Sequence, residues 1–288
     1  MSALSDLAFG LTTALGYGTG DFLARHASYR IGHVRVLFFL EVFGMLVLLP
    51  IAAWFERHLW AATDPWALLV VLGVINFLAS LWLYRSFEYG VLSVVSPLVS
   101  SYPAVTATLA FLVLGERPSA LATAGIAIVL AGTVLLSRTE AHPDNPPPKD
   151  ARVGVVSAFG AFAGYGVFFF ALDAVVEPIG PVTSAAVVRG VGATILLGMV
   201  AGLRLAVGRP PRDLWAVLAA IVALDEIAFV AFNFGILMGS VAVVGTLSGL
   251  FSAVTVALAV AFLHERLTRI QVAAIGAIFL GVAFIAVG

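Results

Sequence analysis

Apolar runs of about 20 residues, separated by short polar clusters, recur along the whole chain. A helix needs about 20 mainly apolar residues to cross the hydrocarbon core of a bilayer. That window predicts ten spans, at 6–26, 33–55, 66–86, 91–114, 119–137, 153–173, 181–203, 214–236, 241–263 and 268–287. The breaks "ERHLWAATDP", "GERPS", "GRPPRD" and "HERLT" carry the glycine, proline and charge that end helices. The longest polar segment, "SRTEAHPDNPPPKDAR" (137–152), holds a proline triplet that cannot continue a helix, so it reads as an exposed extended linker. It divides the chain into a first unit at 1–137, a linker at 138–152 and a second unit at 153–288, with five spans in each unit. A membrane β-barrel would need strands of about ten residues with alternating polarity. These runs are twice as long and do not alternate, so the pattern predicts an all-α integral membrane protein.

Composition sharpens this. Of 288 residues, 61% are hydrophobic and only 11% charged, where a soluble domain carries about a quarter charged residues. The mean hydropathy is +1.09. A formal charge of −1 shows no basic excess and argues against nucleic acid as a partner. The chain has no cysteine, which excludes disulfides and thiolate metal sites. No Lys or Arg precedes the apolar run of MSALSDLAFG, so it does not read as a cleavable signal, and the first helix is expected to be retained. Of fifteen Lys and Arg, twelve fall on the side of the loops joining spans 1–2, 3–4, 5–6, 7–8 and 9–10. Only Arg57 and Arg117 fall on the other side, with both termini, and Arg189 lies inside the seventh span. Positive residues stay inside, so both termini are expected outside the cytoplasm of a cell membrane.

The two halves also resemble each other. A shift of 149 lays "LVLGERP" (112–118) over "AFLHERL" (261–267), Gly90 over Gly239, Tyr102 over Phe251 and Gly132 over Gly281. A shift of 148 lays "GYG" at 16–18 over "GYG" at 164–166, and a shift of 154 in the second helices pairs Arg35 with Arg189 and Gly44 with Gly198. Five spans is an odd number, so the second half is expected to enter the membrane upside down. Such inverted repeats surround a central cavity in many secondary transporters; the plainer alternative is a duplication kept for packing.

The run "LYRSFEYGVLSVVSPLVSSYPAVTATLAFLVLGERP" (83–118) resembles the signature of the drug/metabolite transporter superfamily in its EamA-type ten-helix branch. So does "HERLTRIQVAAIGAIFLGV" (264–282), with its Glu-Arg, glutamine and two glycines. The resemblance covers essentially the whole chain. It implies two inverted five-helix halves around a central cavity lined by helices 1, 3, 4, 6, 8 and 9, and export of amino acids or other small metabolites. The aromatic amino-acid exporters of that superfamily fit the aromatic-rich helices here.

Polar stripes inside spans point to a water-filled path. Asn76, Ser80 and Tyr84 share one face of the third span, and the 149 shift carries them to Asp225, Phe229 and Asn233. Tyr17 and Asp21 lie one turn apart on the first span; the 148 shift carries them to Tyr165 and Phe169. Ser96 and Ser100 add hydroxyls on the span that carries Pro97 and Pro103, where prolines kink a span. Such hydroxyls can equally bond their own helix, the glycines can serve helix packing, and the tyrosines can be interface anchors. These residues are the predicted substrate site, whose ligand is a small molecule. Glu41 and Arg189, inside their spans, are expected to pair with each other or with helix ends, because an unpaired buried charge destabilises; binding of a substrate carboxylate is the alternative role for Arg189. Glu116–Arg117 and Glu265–Arg266 read as salt bridges or caps of their own hairpins.

Asp225 and Glu226 are the candidates for coupling transport to protons or for binding a substrate ammonium. Neighbours on a helix point about 100° apart, so they do not share a face. Helical spacing groups Glu226 with Phe229 and Asn233 and turns it to the cavity; the repeat instead matches Asp225 to Asn76. The leading function is secondary export by alternating access, as a monomer or weak homo-oligomer, with aromatic or other neutral amino acids as substrates. A proton-coupled pump for multiple or cationic drugs is the alternative. A channel would more often use symmetric oligomers. An intramembrane enzyme lacks candidates, since no Cys exists and all five His lie in or beside loops. "HER" lacks the second histidine of a zinc helix, so no metal, cofactor or catalytic residue is expected.

Overall fold

The computed structural model describes residues 3–57, 60, 65–115, 119–139, 142, 145, 147–203, 207–238, 244 and 247–287. Among these residues the regular structure is entirely helical. The helices are α1 (Ala3–Ile31), α2 (His33–Phe55), α3 (Trp66–Tyr89), α4 (Leu92–Val99), α5 (Pro103–Leu114), α6 (Ala120–Ser137), α7 (Ala151–Ile179), α8 (Pro181–Leu203), α9 (Trp215–Met238), α10 (Phe251–Phe262) and α11 (Arg269–Val287). Eight stretches among the described residues are long and apolar enough to cross a membrane, with α4 and α5 joined as one, Leu92–Leu114. The break between α4 and α5 follows from Pro97 and Pro103, which cannot donate helix hydrogen bonds. α10 is apolar but has only 12 residues, and α1 carries Asp21, Arg25 and Arg30 along its 29 residues. The chain is a multi-pass membrane protein.

Helix lengths repeat between the halves. α1 and α7 both have 29 residues, α2 and α8 both 23, α3 and α9 both 24, α5 and α10 both 12. The offset is 148 for α1, α2 and α5, and 149 for α3. This corrects the shift of 154 read for the second helices. Gly32 and Gly180, also 148 apart, both take positive φ (88° and 101°) with ψ of 145° and 148°, and each is followed at once by a helix. Only glycine enters that conformation cheaply, so the pair fixes the register of the helices that follow. In that register Glu41 matches Arg189 and Gly44 matches Gly192.

Packing follows the same exchange. α1 packs on α9 and α10, while its counterpart α7 packs on α3 and α5. α2 packs on its own counterpart α8, and α6 on α11.

Polar contacts gather the helix ends at two faces. On one face Arg30, ending α1, pairs with Asp213 before α9 at 2.5 Å. Glu88, ending α3, accepts from the His33 backbone N–H at 2.7 Å and from Lys149 Nζ at 3.0 Å. On the other face Glu56, just past α2, accepts from the Val182 and Thr183 N–H groups at 3.1 and 2.7 Å. Glu265 does not cap its own hairpin. It accepts from Leu92 and Ser93 N–H at 3.3 and 2.9 Å, covering the open N-terminus of α4. A helix start leaves four N–H groups unpaired and carries partial positive charge, which is why a carboxylate from another element settles there. Glu116 and Arg117 lie outside the described residues. The linker is held rather than free: Asn145 exchanges hydrogen bonds with the Arg266 backbone at 2.6 and 3.0 Å, and Lys149 reaches Glu88.

Candidate functional site

Where α1, α3, α7, α8 and α9 converge, they enclose a cavity of about 60 Å³. Each helix contributes because its stripe of polar and aromatic residues turns inward. α1 supplies Tyr17 and Asp21, α3 supplies Asn76, Ser80 and Tyr84, and α7 supplies Tyr165, Phe168 and Phe169. α8 brings Arg189, and α9 brings Asp225, Phe229 and Phe232. Tyr102, between α4 and α5, and Phe251, opening α10, close the wall. The rings brace one another. Tyr102 stacks on Phe169 at 4.6 Å, Phe169 meets Phe232 edge-on at 5.0 Å, and Tyr17 meets Phe251 edge-on at 6.3 Å. Ser80 and Tyr165 share a hydroxyl hydrogen bond of 3.0 Å.

One guanidinium organises the charge. Arg189 Nε donates to Glu226 at 2.7 Å, Nη2 donates to Asp225, and Nη1 lies 3.6 Å from Glu41. Its Cζ also sits 5.3 Å from the centre of the Phe229 ring. The planar fork of arginine suits this, because it presents five donors in fixed directions. Glu41 is fully buried, and Arg189 and Glu226 are 3% and 4% exposed. Two glycines make the room. A Cβ at Gly44 would strike the carboxylate of Glu226, and one at Gly192 would strike that of Glu41. These are the two glycines that the offset of 148 brings into register.

Asp21 differs from this cluster. It is 7% exposed and lines the cavity, and among the described residues no donor or cation pairs with it. Nor do any three His, Asp or Glu side chains among the described residues converge as a metal site would require.

The profile of the EamA-like transporter family matches this chain twice, over residues 4–138 and 152–287. The chain belongs to the EamA-like transporter family. Pseudopaline exporters CntI from two Pseudomonas aeruginosa strains, UCBPP-PA14 and PAO1, are each 32% identical to it over 119 residues. That match spans 41% of this EamA-like transporter and only 39% of the length of those relatives. An uncharacterized Methanocaldococcus jannaschii protein, MJ1333.1, is 27% identical over 128 residues, 44% of this chain and 93% of that one. A crystal structure of a protein with 17% identity superposes on 98% of this chain and 96% of its own with a TM-score of 0.71, a likeness of fold.

Within this EamA-like transporter, Tyr17, Asp21, Asn76, Ser80, Tyr84, Tyr165, Phe169 and Phe229 all border the cavity. Ser96, Ser100 and Asn233 do not. Ser96 is buried, Ser100 bonds to the Pro97 carbonyl at 3.1 Å and to Ser252 at 2.8 Å, and Asn233 Nδ2 donates to the Pro181 carbonyl at 2.9 Å. The polarity of Ser100 and Asn233 thus serves helix packing and the start of α8. The carboxylate expected at the cavity by helical spacing, Glu226, faces away from it, and Asp225 takes the wall instead. The reason is α2: Gly44 opens a niche beside Glu226 that a helical wheel of α9 cannot register. Arg189, Tyr102, Phe168, Phe232 and Phe251 were missing from the predicted set. The register of 148 would have brought Arg189 forward as the counterpart of Glu41, and the Tyr102–Phe251 match already joined two of the wall positions.

Proposed function

We propose that this protein is a secondary exporter of small amine-bearing metabolites, with aromatic or other neutral amino acids as first candidates. The observation that carries the reading is Asp21, a buried carboxylate on an aromatic wall with no partner among the described residues. An ammonium supplies both the missing charge and the missing donors, and the surrounding rings add cation–π attraction. Arg189 is a poor receptor for a substrate carboxylate, since three acidic side chains already occupy its fork. The carboxylate of an amino acid would instead meet the Tyr17, Ser80 and Tyr84 hydroxyls. The relatives named as pseudopaline exporters support export of a small molecule.

Alternating access by two inverted repeats fits several features. The C-terminus of α1 and the N-terminus of its counterpart α7 lie at the same face, joined through Lys149, which donates to the Tyr29 carbonyl at 3.1 Å. The halves exchange their packing partners, and a relative short enough to match one half is nearly covered by it. A cavity of about 60 Å³ holds a few waters, whereas ligand pockets span about 300–1,000 Å³. Loading a metabolite therefore requires the helices to part.

Counterflow into proteoliposomes tests the substrate. Neutral amino acids and the amines sharing their side chains are expected to exchange, while N-acetylated amino acids, which lack the cation, are not. Equal exchange of the acetylated compounds, or failure of every amino acid and amine, would overturn the reading.

The face holding Arg30, His33, Lys149 and Arg266 is assigned to the cytoplasm by its positive charge. Because the chain lacks cysteine, single cysteines report sidedness directly. In intact cells an impermeant maleimide is expected to label Arg57→Cys and to spare Ala151→Cys; the reverse pattern inverts the topology. The second reading, proton-coupled efflux of cationic compounds, rests on the surplus of three carboxylates over one guanidinium. Asp225 and Glu226 would carry the coupling. Gradient-driven transport that survives both Asp225→Asn and Glu226→Gln removes it.

A further inference from the structure

A second, larger opening lies outside the central cavity. Between α2 and α9 a groove of about 710 Å³ opens on the outer surface of the helix bundle. Its walls are almost wholly apolar. Phe39 stacks on Phe43 at 5.8 Å and meets Trp215 edge-on at 5.6 Å, and Phe9 stacks on Phe234 at 6.4 Å. Phe43 and Trp215 are 41% and 44% exposed, so the mouth faces the surrounding medium, which at this level of the bundle is lipid. The repeat-related seam, between α3 and α8, is closed by the fit of Val191 against Gly73. The groove is therefore a feature of one half.

Among the described residues one charged side chain lines it, Glu226. Its Oε1 is held by Arg189, while its Oε2 is buried with no hydrogen-bond partner among the described residues. A carboxylate oxygen left without a donor in hydrocarbon is costly, and an apolar groove bordered by that side chain calls for a cationic head with an apolar tail. Depth selects the source. Glu226 lies eleven residues into α9, about 16 Å along the helix at 1.5 Å per residue, near the middle of a hydrocarbon core about 30 Å thick. The amine of a phospholipid stays at the headgroup level and does not reach that depth.

We propose that the groove is a binding site for lipophilic primary amines dissolved in the bilayer, with the ammonium on Glu226 and the tail between α2 and α9. The volume lies in the range of ligand pockets, about 300–1,000 Å³. Because Glu226 also holds Arg189, an amine bound there competes for the group that positions Asp225 on the cavity wall. The groove is thus linked to the cavity wall through Arg189, and its occupancy does not depend on which substrate the cavity carries.

The test uses the full chain in nanodiscs, titrated with a dodecylamine brominated midway along its chain and with the matching brominated alcohol. Bromine quenches a nearby indole, and Trp215 borders the groove. Saturable quenching by the amine is expected, lost in Trp215→Phe and absent with the alcohol. Glu226→Gln is expected to weaken the amine about tenfold or more, the usual worth of a charge-assisted hydrogen bond. Ala223→Phe, which fills the exposed wall of the groove and leaves the charges intact, is expected to do the same. Asp21→Asn is expected to leave binding unchanged. Saturation by the alcohol to the same extent would mean an apolar groove for lipid chains and would overturn the proposal. So would unaltered affinity in Ala223→Phe, or loss of amine binding in Asp21→Asn, which would place the amine in the central cavity.

Discussion

Replacing Arg189 with alanine is expected to destabilise the folded protein by about 3–5 kcal/mol, the cost of removing one partner from a buried ion pair. The figure follows from what remains. Glu41, Asp225 and Glu226 would lose their shared cation in a place where Glu41 and Glu226 have almost no access to water. Thermal unfolding in detergent and the yield of folded protein measure this directly. Arg189→Lys should recover only part, because an ammonium cannot reproduce a planar fork that serves three carboxylates at once. Combining Arg189→Ala with Glu41→Gln, Asp225→Asn and Glu226→Gln should restore more stability than Arg189→Lys does, since an unpaired buried charge costs more than a neutral polar group. An Arg189→Ala protein that melts with the parent would show that the cluster contributes nothing to the fold.

The origin of this cluster explains how far sequence carries. Span positions, the break between α4 and α5 at Pro97 and Pro103, and the similarity of the halves are all local or periodic properties, and they are legible residue by residue. Eight positions of the cavity wall followed from stripes of polar and aromatic residues at helical spacing on the first, third, sixth and eighth spans. What was not legible is which stripe meets which. Asp225 and Glu226 have no basic neighbour in the chain, yet their cation lies 36 and 37 residues away on α8. The register error had the same root. Matching Arg35 to Arg189 by residue type favoured a shift of 154, whereas the backbone turns at Gly32 and Gly180 set 148 and place Glu41 opposite Arg189. Ser100 and Asn233 show the converse failure. A hydroxyl or amide inside a span reads alike whether it lines a path or ties helices together, and only the packing of its neighbours separates the two.

Asp21→Asn is expected to abolish export of amine substrates while leaving the protein as stable as the parent or more so. The two halves of that result have one cause. Among the described residues the carboxylate of Asp21 faces no cation, and the acidic group that shares the cavity wall with it, Asp225, already belongs to Arg189. Folding therefore places a charge there at a cost, and an amide of the same shape removes the cost. The substrate ammonium loses its counter-charge at the same time, which weakens binding about ten- to a hundredfold for one charge-assisted hydrogen bond. Proteoliposome exchange and thermal unfolding of the same preparation separate the possibilities. Loss of exchange with a retained or raised melting temperature is the signature of a residue kept for function at the expense of stability. Loss of both would make Asp21 a structural residue whose partner lies elsewhere in the fold. Exchange at the parental rate would remove Asp21 from the substrate path, and the aromatic wall alone would then have to account for recognition.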